Sequence, residues 1–259
     1  MNDLKQYFKE NTGRHISKWE HYFDVYDRHF DKYRNQEIVI LEIGVAQGGS
    51  LQMWKHYFGD KAIIYGIDID PYCKTFEEEN VHILIGSQSD RKFLREVRTT
   101  IPKVDILIDD GGHTMKQQIV TFEELFPHVK ENGVYLCEDL HTSYWLIFGG
   151  GFKRRGTFIE YSKNFIDYLN AWHSSQLSVN DFTRSAGSVH YYDSIIVIEK
   201  ERKIPPKQVH SGAPAFDWED KPSFAKKTQR HIYRIINATL GILRIKGFAW
   251  FEYPRPKRE

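Results

Sequence analysis

The chain has 259 residues, 41% of them hydrophobic and 15% aromatic, with 36 Lys or Arg against 35 Asp or Glu. That length supports one large core rather than two full domains, and a formal net charge of +1 gives no electrostatic reason to expect a nucleic-acid partner. The two cysteines, Cys73 and Cys137, argue against a disulfide framework or a cysteine zinc site and fit a reducing, cytoplasmic compartment, while no run reaches the roughly 20 apolar residues of a membrane span and residues 1–7 lack a signal peptide's apolar stretch.

Residues 1–35 read as an N-terminal helical lid. Trp19, Tyr22, Phe23, Tyr26, Phe30 and Tyr33 recur at three- and four-residue spacings, which predicts a helix over 16–33 with one apolar face on the core. Lys18, Trp19 and Tyr22 would also reach a ligand held by the loop that follows.

Residues 36–202 read as the core. Residues 38–50 run from apolar residues to Glu42, turn through Gly44, Gly48 and Gly49, and pass into a helical pattern at Leu51. This is a buried strand, a tight loop and a helix start, whose backbone amides converge on whatever binds there. Further strands are predicted at 62–68, 81–85, 104–109 and 133–138, with helical periodicity between them, as at 90–99 and 115–130. Such alternation argues for a parallel sheet with helices on both faces and a ligand site at the carboxyl ends of the strands. A basic glycine loop from Gly149 to Gly156 follows, either a connection or a cover for substrate. A helix over 158–173 and one late strand over 189–198 complete the core.

Residues 203–259 read as a linker and a basic helical extension, with ten Lys or Arg against two Glu from Lys221 onward. The extension is expected to dock on the domain or on a second subunit, making a homo-oligomer; a peripheral membrane contact is the other reading.

Acids crowd the strand ends: Glu42, Asp68 and Asp70, Asp109 and Asp110, Glu138 and Asp139. One such acid is often a helix cap or a solvated turn. Four strand ends sharing the feature point to a site. The spacing Gly44-x-x-x-Gly48-Gly49 departs from the Gly-x-Gly-x-x-Gly of a dinucleotide pyrophosphate site. Glu42 would attract the ammonium of S-adenosylmethionine and repel a pyrophosphate. Asp68, 24 residues after Gly44, is placed to accept from two ribose hydroxyls, and Gln47, Gly48 and Asp109 are grouped with the same donor site. If strands four and five are neighbours, Asp110, Glu138 and Asp139 would share a hard divalent ion, Mg2+ first because the donors are oxygens. That ion would chelate the oxygens of a vicinal diol and lower the pKa of its hydroxyls. His113, beside Asp110, is read as the general base, against the plainer reading of a structural histidine at a turn.

The set Leu41-Glu-Ile-Gly-Val-Ala-Gln-Gly-Gly-Ser50, Tyr65-Gly-Ile-Asp-Ile-Asp-Pro71, Ile108-Asp-Asp-Gly-Gly-His-Thr114 and Cys137-Glu-Asp-Leu-His-Thr142 resembles class I S-adenosylmethionine-dependent methyltransferases. Within that class it resembles the macrocin/mycinamicin-type (cephalosporin-hydroxylase-like) sugar O-methyltransferases, from about Lys18 to Lys200. The resemblance implies a Rossmann-like, mostly parallel, seven-stranded twisted sheet. It implies Asp110, Glu138 and Asp139 as metal ligands, His113 as base, Gly44 and Ser50 against the methionyl part, Asp68 on the ribose, and Gly86, Ser87 and Gln88 on the adenine. Trp19, Tyr22, His141 and Tyr144 are taken as acceptor contacts. The larger N-terminal auxiliary domain of the mycinamicin-type enzymes has no counterpart in this sequence and the tail after Pro205 matches no familiar pattern, so acceptor identity and oligomer architecture do not carry over. The resulting expectation is a Mg2+-dependent O-methyltransferase acting on a sugar hydroxyl of a glycoside, glycolipid or nucleotide-linked sugar. A small-phenol O-methyltransferase and a non-catalytic S-adenosylmethionine-binding partner protein are the alternatives.

Overall fold

The computed structural model describes residues 3–213, 215 and 224–243. The chain divides into two units, Met1–Pro206 and Lys207–Glu259. Seven strands build the first unit: β1 Val39–Ile43, β2 Ile63–Asp68, β3 Val81–Ile85, β4 Val104–Asp109, β5 Val129–Cys137, β6 Ala186–Tyr191 and β7 Ile196–Lys200. Their order is β3-β2-β1-β4-β5-β7-β6. β1 to β5 pair in parallel, β7 runs antiparallel to β5, and β6 to β7. Every residue of β1 is buried, as a central parallel strand covered on both faces requires.

One face carries α1 (Asp3–Glu10), α2 (Tyr22–Phe30) and α3 (Gly49–Phe58). Leu4, Phe23, Tyr26 and Trp54 from these helices pack with Ile40, Ile64 and Ile106 of the sheet. Residues 3–35 of the stretch expected as a lid lie in the same compact unit as the sheet; Tyr22, Phe23, Tyr26, Phe30 and Tyr33 are in its core and Trp19 is exposed. The other face carries α4 (Arg91–Thr100), α5 (Met115–Leu125), α6 (Phe158–Ser162), α7 (Asn164–Leu169) and α8 (Asp181–Ser185). There Leu94, Phe122, Phe165 and Phe182 pack on Leu41, Leu107 and Tyr135. The chain reverses its direction of travel across the sheet between β1 and β4, so a crevice opens at their carboxyl ends.

Several elements differ from expectation; β5 begins at Val129, inside the stretch 115–130 expected as helical, where α5 ends at Leu125. The late strand is a hairpin: Asp193-Ser194 forms the turn, Tyr192 N donates to Ile195 O at 2.8 Å, and Ser194 is left-handed at φ 63. The helix expected over 16–33 begins only at Tyr22, and 11–19 run without regular structure. The helix expected over 158–173 is broken, since Asn164 and Asn170 turn their side-chain amides onto Tyr161 O and Ile166 O.

In the second unit α9 (Phe224–Ile242) has no buried residue. The basic residues beyond 243 lie outside the described residues. No helix among the described residues is long and apolar enough to cross a membrane.

Candidate functional site

The turn after β1 forms one wall of the crevice. Gly44 has φ +95, and a Cβ there would stand 2.0 Å from Asp110 O, so the loops after β1 and β4 touch at a position where only glycine fits. Asp68 at the end of β2 ties the turn down. Its Oδ2 accepts from Val45 N and Ala46 N, and its Oδ1 from Asp70 N, each at 2.9 Å. Burial works to raise the Asp68 carboxyl, but these amides outweigh it and hold the group below its ordinary value. A carboxylate has about four lone-pair sites, so capacity for ribose hydroxyls remains. Gly86, Ser87 and Gln88 follow β3, and Gln117 comes from α5. Together with Gly44, Asp68 and Asp110 they line a cleft of about 240 Å³.

Several residues assigned to the donor stand behind or beside this cleft. Glu42 is fully buried, accepting from Ser50 Oγ at 2.8 Å and Trp54 Nε1 at 3.0 Å. Burial pushes its carboxyl up to about 7, with Lys18, Trp54 and Ser50 opposing. Asp109 points to the opposite sheet face, because neighbours on a strand alternate in direction. It is 1% exposed, faces Gln88, Tyr135 and Cys137, and is pushed up to about 7 by burial. It sits beneath the cleft rather than on it. Gln88 lines the cleft but spends its amide on the protein: it donates to Asp109 and Thr121 at 3.0 and 3.1 Å and accepts from Gly112 N at 2.6 Å. It is a clamp between the loops after β3 and β4 as well as part of the cleft's lining. Gln47 is exposed and is not among the residues that line this cleft. Gly48, left-handed at φ 71, caps α3 beneath the Phe76 ring.

Asp110 also lines a second pocket of about 310 Å³, with Ser17, Lys18, Trp19, Tyr22, Glu138 and Asp139. The expected metal ligands do not converge as a trio. Lys18 donates to Asp110 Oδ2 and to Glu138 Oε1 and Oε2, the latter two at 3.1 and 2.9 Å, and its side chain is 2% exposed. Burial disfavours the Lys18 charge, yet the Asp110, Glu138 and Glu42 carboxylates outweigh this and hold the ammonium protonated well above the ordinary lysine range. Glu138 is buried as well. Burial and Asp110 raise its carboxyl above the usual range while Lys18 and Tyr26 oppose them. Tyr26 OH donates to Glu138 Oε1 at 2.7 Å and Tyr22 OH to Asp139 Oδ1 at 2.7 Å.

At this rim the side chains whose ligand atoms lie within 4.8 Å of one another are Asp110, His113 and Asp139; elsewhere among the described residues His29, His190 and Glu199 form another such group. His113 Nε2 is 3.7 Å from Asp110 Oδ1 and 3.4 Å from Asp139 Oδ2, and its buried Nδ1 has no hydrogen-bond partner. His113 and Asp139 are both left-handed, at φ 55 each, a cost that non-glycine residues bear at functional turns. Two carboxylates facing one point, with Glu138 adjacent, form an oxygen donor set that suits a hard divalent cation, and His113 Nε2 stands beside it. The residues therefore fit Mg2+, with Asp110 and Asp139 as its first oxygens.

On the acceptor side, Trp19 and Tyr22 line the pocket that holds Asp139, and Trp19 meets His141 edge-on with ring centroids 5.8 Å apart. His141 Nδ1 is bonded to Ser194 Oγ at 2.5 Å. Tyr144 belongs with His141 to a neighbouring cleft of about 440 Å³ under β6 and is not brought to Trp19 and Tyr22. The basic glycine loop continues from turns whose Leu146, Ile147 and Phe152 side chains stand exposed. Tyr26, placed by the sequence only on the core face of its helix, and Gln117 were not singled out as site residues. Tyr26 follows Tyr22 by four residues and so shares its face, and Thr114-x-x-Gln117 is a legible capping box.

The sheet order, the glycine turn and the acids at the ends of β2, β4 and β5 define the class I methyltransferase fold, and residues 41–140 match the family described as Methyltransferase domain. This chain thus carries a methyltransferase domain of that class. It is 38% identical over 212 residues to demethylmacrocin O-methyltransferase of Streptomyces fradiae, covering 74% of this chain and 52% of the relative. It is 37% identical over 194 residues to mycinamicin VI 2''-O-methyltransferase of Micromonospora griseorubida, covering 68% and 47%. Among solved structures, the MycE methyltransferase of the mycinamycin biosynthetic pathway, in complex with Mg, SAH and mycinamycin VI, matches with a TM-score of 0.72 at 31% identity over 89% of this chain and 59% of that one. The chain spans about half the length of the curated relatives it matches.

Proposed function

We propose that this protein is a Mg2+-dependent O-methyltransferase that moves the methyl group of S-adenosylmethionine to a sugar hydroxyl of a glycoside or related conjugate. One observation carries the reading: Asp110 lines both the donor cleft and the pocket beneath Trp19 and Tyr22, so the two meet at one carboxylate with His113 Nε2 3.7 Å away. The relatives named for sugar O-methylation and the Mg and SAH bound to MycE support it.

When bound on Asp110 and Asp139, with Glu138 beside them, the cation supplies positive charge that acidifies and orients neighbouring hydroxyls. The chain's own groups do the rest. Asp68 and the Gly44 turn hold the donor, Trp19 and Tyr22 wall the acceptor, and His113 Nε2 accepts the hydroxyl proton. The acceptor oxygen forms the new bond to the methyl carbon as the carbon–sulfur bond breaks. Its electron pair stays on sulfur, leaving neutral S-adenosylhomocysteine. The sulfonium already activates the methyl group, so positioning and deprotonation are what the fold must contribute.

A methyl-transfer screen over glycosides, nucleotide sugars and catechols, with Mg2+ and with chelator, tests the proposal. Transfer to a sugar hydroxyl that chelator abolishes is the expected result, and transfer only to catechols would replace the acceptor class. His113→Asn tolerates the left-handed backbone and lacks the base. It should keep donor binding by calorimetry while the rate falls by about 10²-fold or more; an unchanged rate at neutral pH would remove His113 from the mechanism.

A further inference from the structure

We propose that Lys18 and a divalent cation are alternative occupants of the Asp110–Glu138 carboxylate pair, so that the metal enters only as the ammonium leaves. The inference rests on the metal reading above. A lysine ammonium has three donors, and Lys18 directs all of them here: one to Asp110 Oδ2 and one to each oxygen of Glu138. Asp110 is a carboxylate that the cation of the metal reading would use, through the Oδ1 side that faces His113 and Asp139, and Glu138 is the carboxylate beside it. An ammonium and a divalent ion on this one pair would lie only a few ångströms apart, where like-charge repulsion opposes joint occupancy. Without any cation, buried Glu138 and Asp110 would face each other uncompensated, which is the more costly state. Lys18 therefore holds the pair together until something of higher charge replaces it.

The fold also indicates which partner withdraws. Glu138 is fixed from behind: its N donates to Asp109 O at 3.0 Å, its O accepts from Gln118 Nε2 at 3.0 Å, and Tyr26 OH holds Oε1. Lys18 lies in the irregular stretch between α1 and α2, and its neighbours Ser17 and Trp19 line the acceptor pocket, Trp19 being 54% exposed. Expelling the ammonium moves that wall, so metal occupancy and the shape of the acceptor pocket are linked through one side chain.

The experiment measures Mn2+ binding to the full chain by electron paramagnetic resonance, for wild type, Lys18→Met and Lys18→Arg, with S-adenosylmethionine binding followed by calorimetry. Lys18→Met removes the competitor and should bind Mn2+ about tenfold more tightly than wild type or better, and Lys18→Arg no more tightly than wild type. A merely structural lysine would give the opposite order, so equal or weaker binding by Lys18→Met overturns the proposal. If none of the three binds Mn2+ while S-adenosylmethionine still binds, the metal reading falls and takes this one with it. Should Lys18→Met not fold, the difference in tryptophan fluorescence between wild type and Trp19→Phe is followed as Mg2+ is added. A metal-dependent change supports displacement of the segment, and a constant difference at saturation overturns it.

Discussion

Glu42 couples the order of the glycine turn to pH. Its folded value of about 7 lies above the ordinary 4.5, so between these limits the folded protein binds more protons than the unfolded chain. Stability contributed by the neutral group is therefore full below about pH 4.5 and is lost as pH rises through 7, a change on the order of 3 kcal/mol. Glu42→Gln can still accept from Trp54 and pair with Ser50, and it does not titrate. Urea unfolding between pH 5 and 8 is expected to show a falling stability for wild type and a flatter profile for the variant; parallel profiles would mean that Glu42 is ionised throughout. At this scale the site was legible where position along a strand suffices. Asp110, His113 and Asp139 needed only the ends of β4 and β5 to be located. The engagement of Glu42, Asp109 and Gln88 was not legible, because it depends on Trp54, Tyr135 and Thr121 arriving from elsewhere in the chain. Lys18 illustrates the same limit, since no local pattern brings an ammonium to carboxylates 92 and 120 residues away.

Among the elements, α5 joins the turn that carries His113 to the cleft beside Asp68 through its first residues. Thr114 caps the helix reciprocally with Gln117, which lines the cleft, while Thr142 Oγ1 donates to His113 O at 3.1 Å from the turn after β5. Thr114→Ala removes the cap and should cost about 1 kcal/mol, lowering Tm by roughly 2–4 °C. Donor affinity should fall with it, because Gln117 loses its anchor, and calorimetry giving the wild-type affinity would separate cap from cleft. Parallel strands and their helices were readable from β1 to β5, since continuous apolar runs bounded by turns have one economical arrangement. The β6–β7 hairpin was read as one strand because Tyr192 and Ile195 are themselves strand formers and mask the Asp193-Ser194 turn between them. α1 and the late start of α2 were missed for a different reason. Aromatic spacing continues upstream of Tyr22, but the backbone there runs irregularly to place Lys18 and Trp19 at the pocket.

At the scale of the whole molecule, both faces of the first unit's sheet carry a core cluster, and among the described residues these clusters draw on residues 4–198. The second unit contributes a helix with no buried residue, in which Ile232, Ile235, Ile236 and Leu243 stand exposed at helical spacing beside Lys226, Lys227, Arg230 and Arg234. The homo-oligomer expected from the sequence would use this stripe. A chain ending at Pro206 is predicted to melt within about 2 °C of the full protein, because the residues of the first unit's two core clusters all lie before Pro206. It should keep its affinity for S-adenosylmethionine, because every residue lining the donor cleft lies before Pro206. Sedimentation velocity on both chains completes the comparison, with association expected for the full chain and a monomer for the shortened one. A fall of many degrees would mean that the extension supports the core, and identical sedimentation behaviour would mean that the stripe does not mediate self-association.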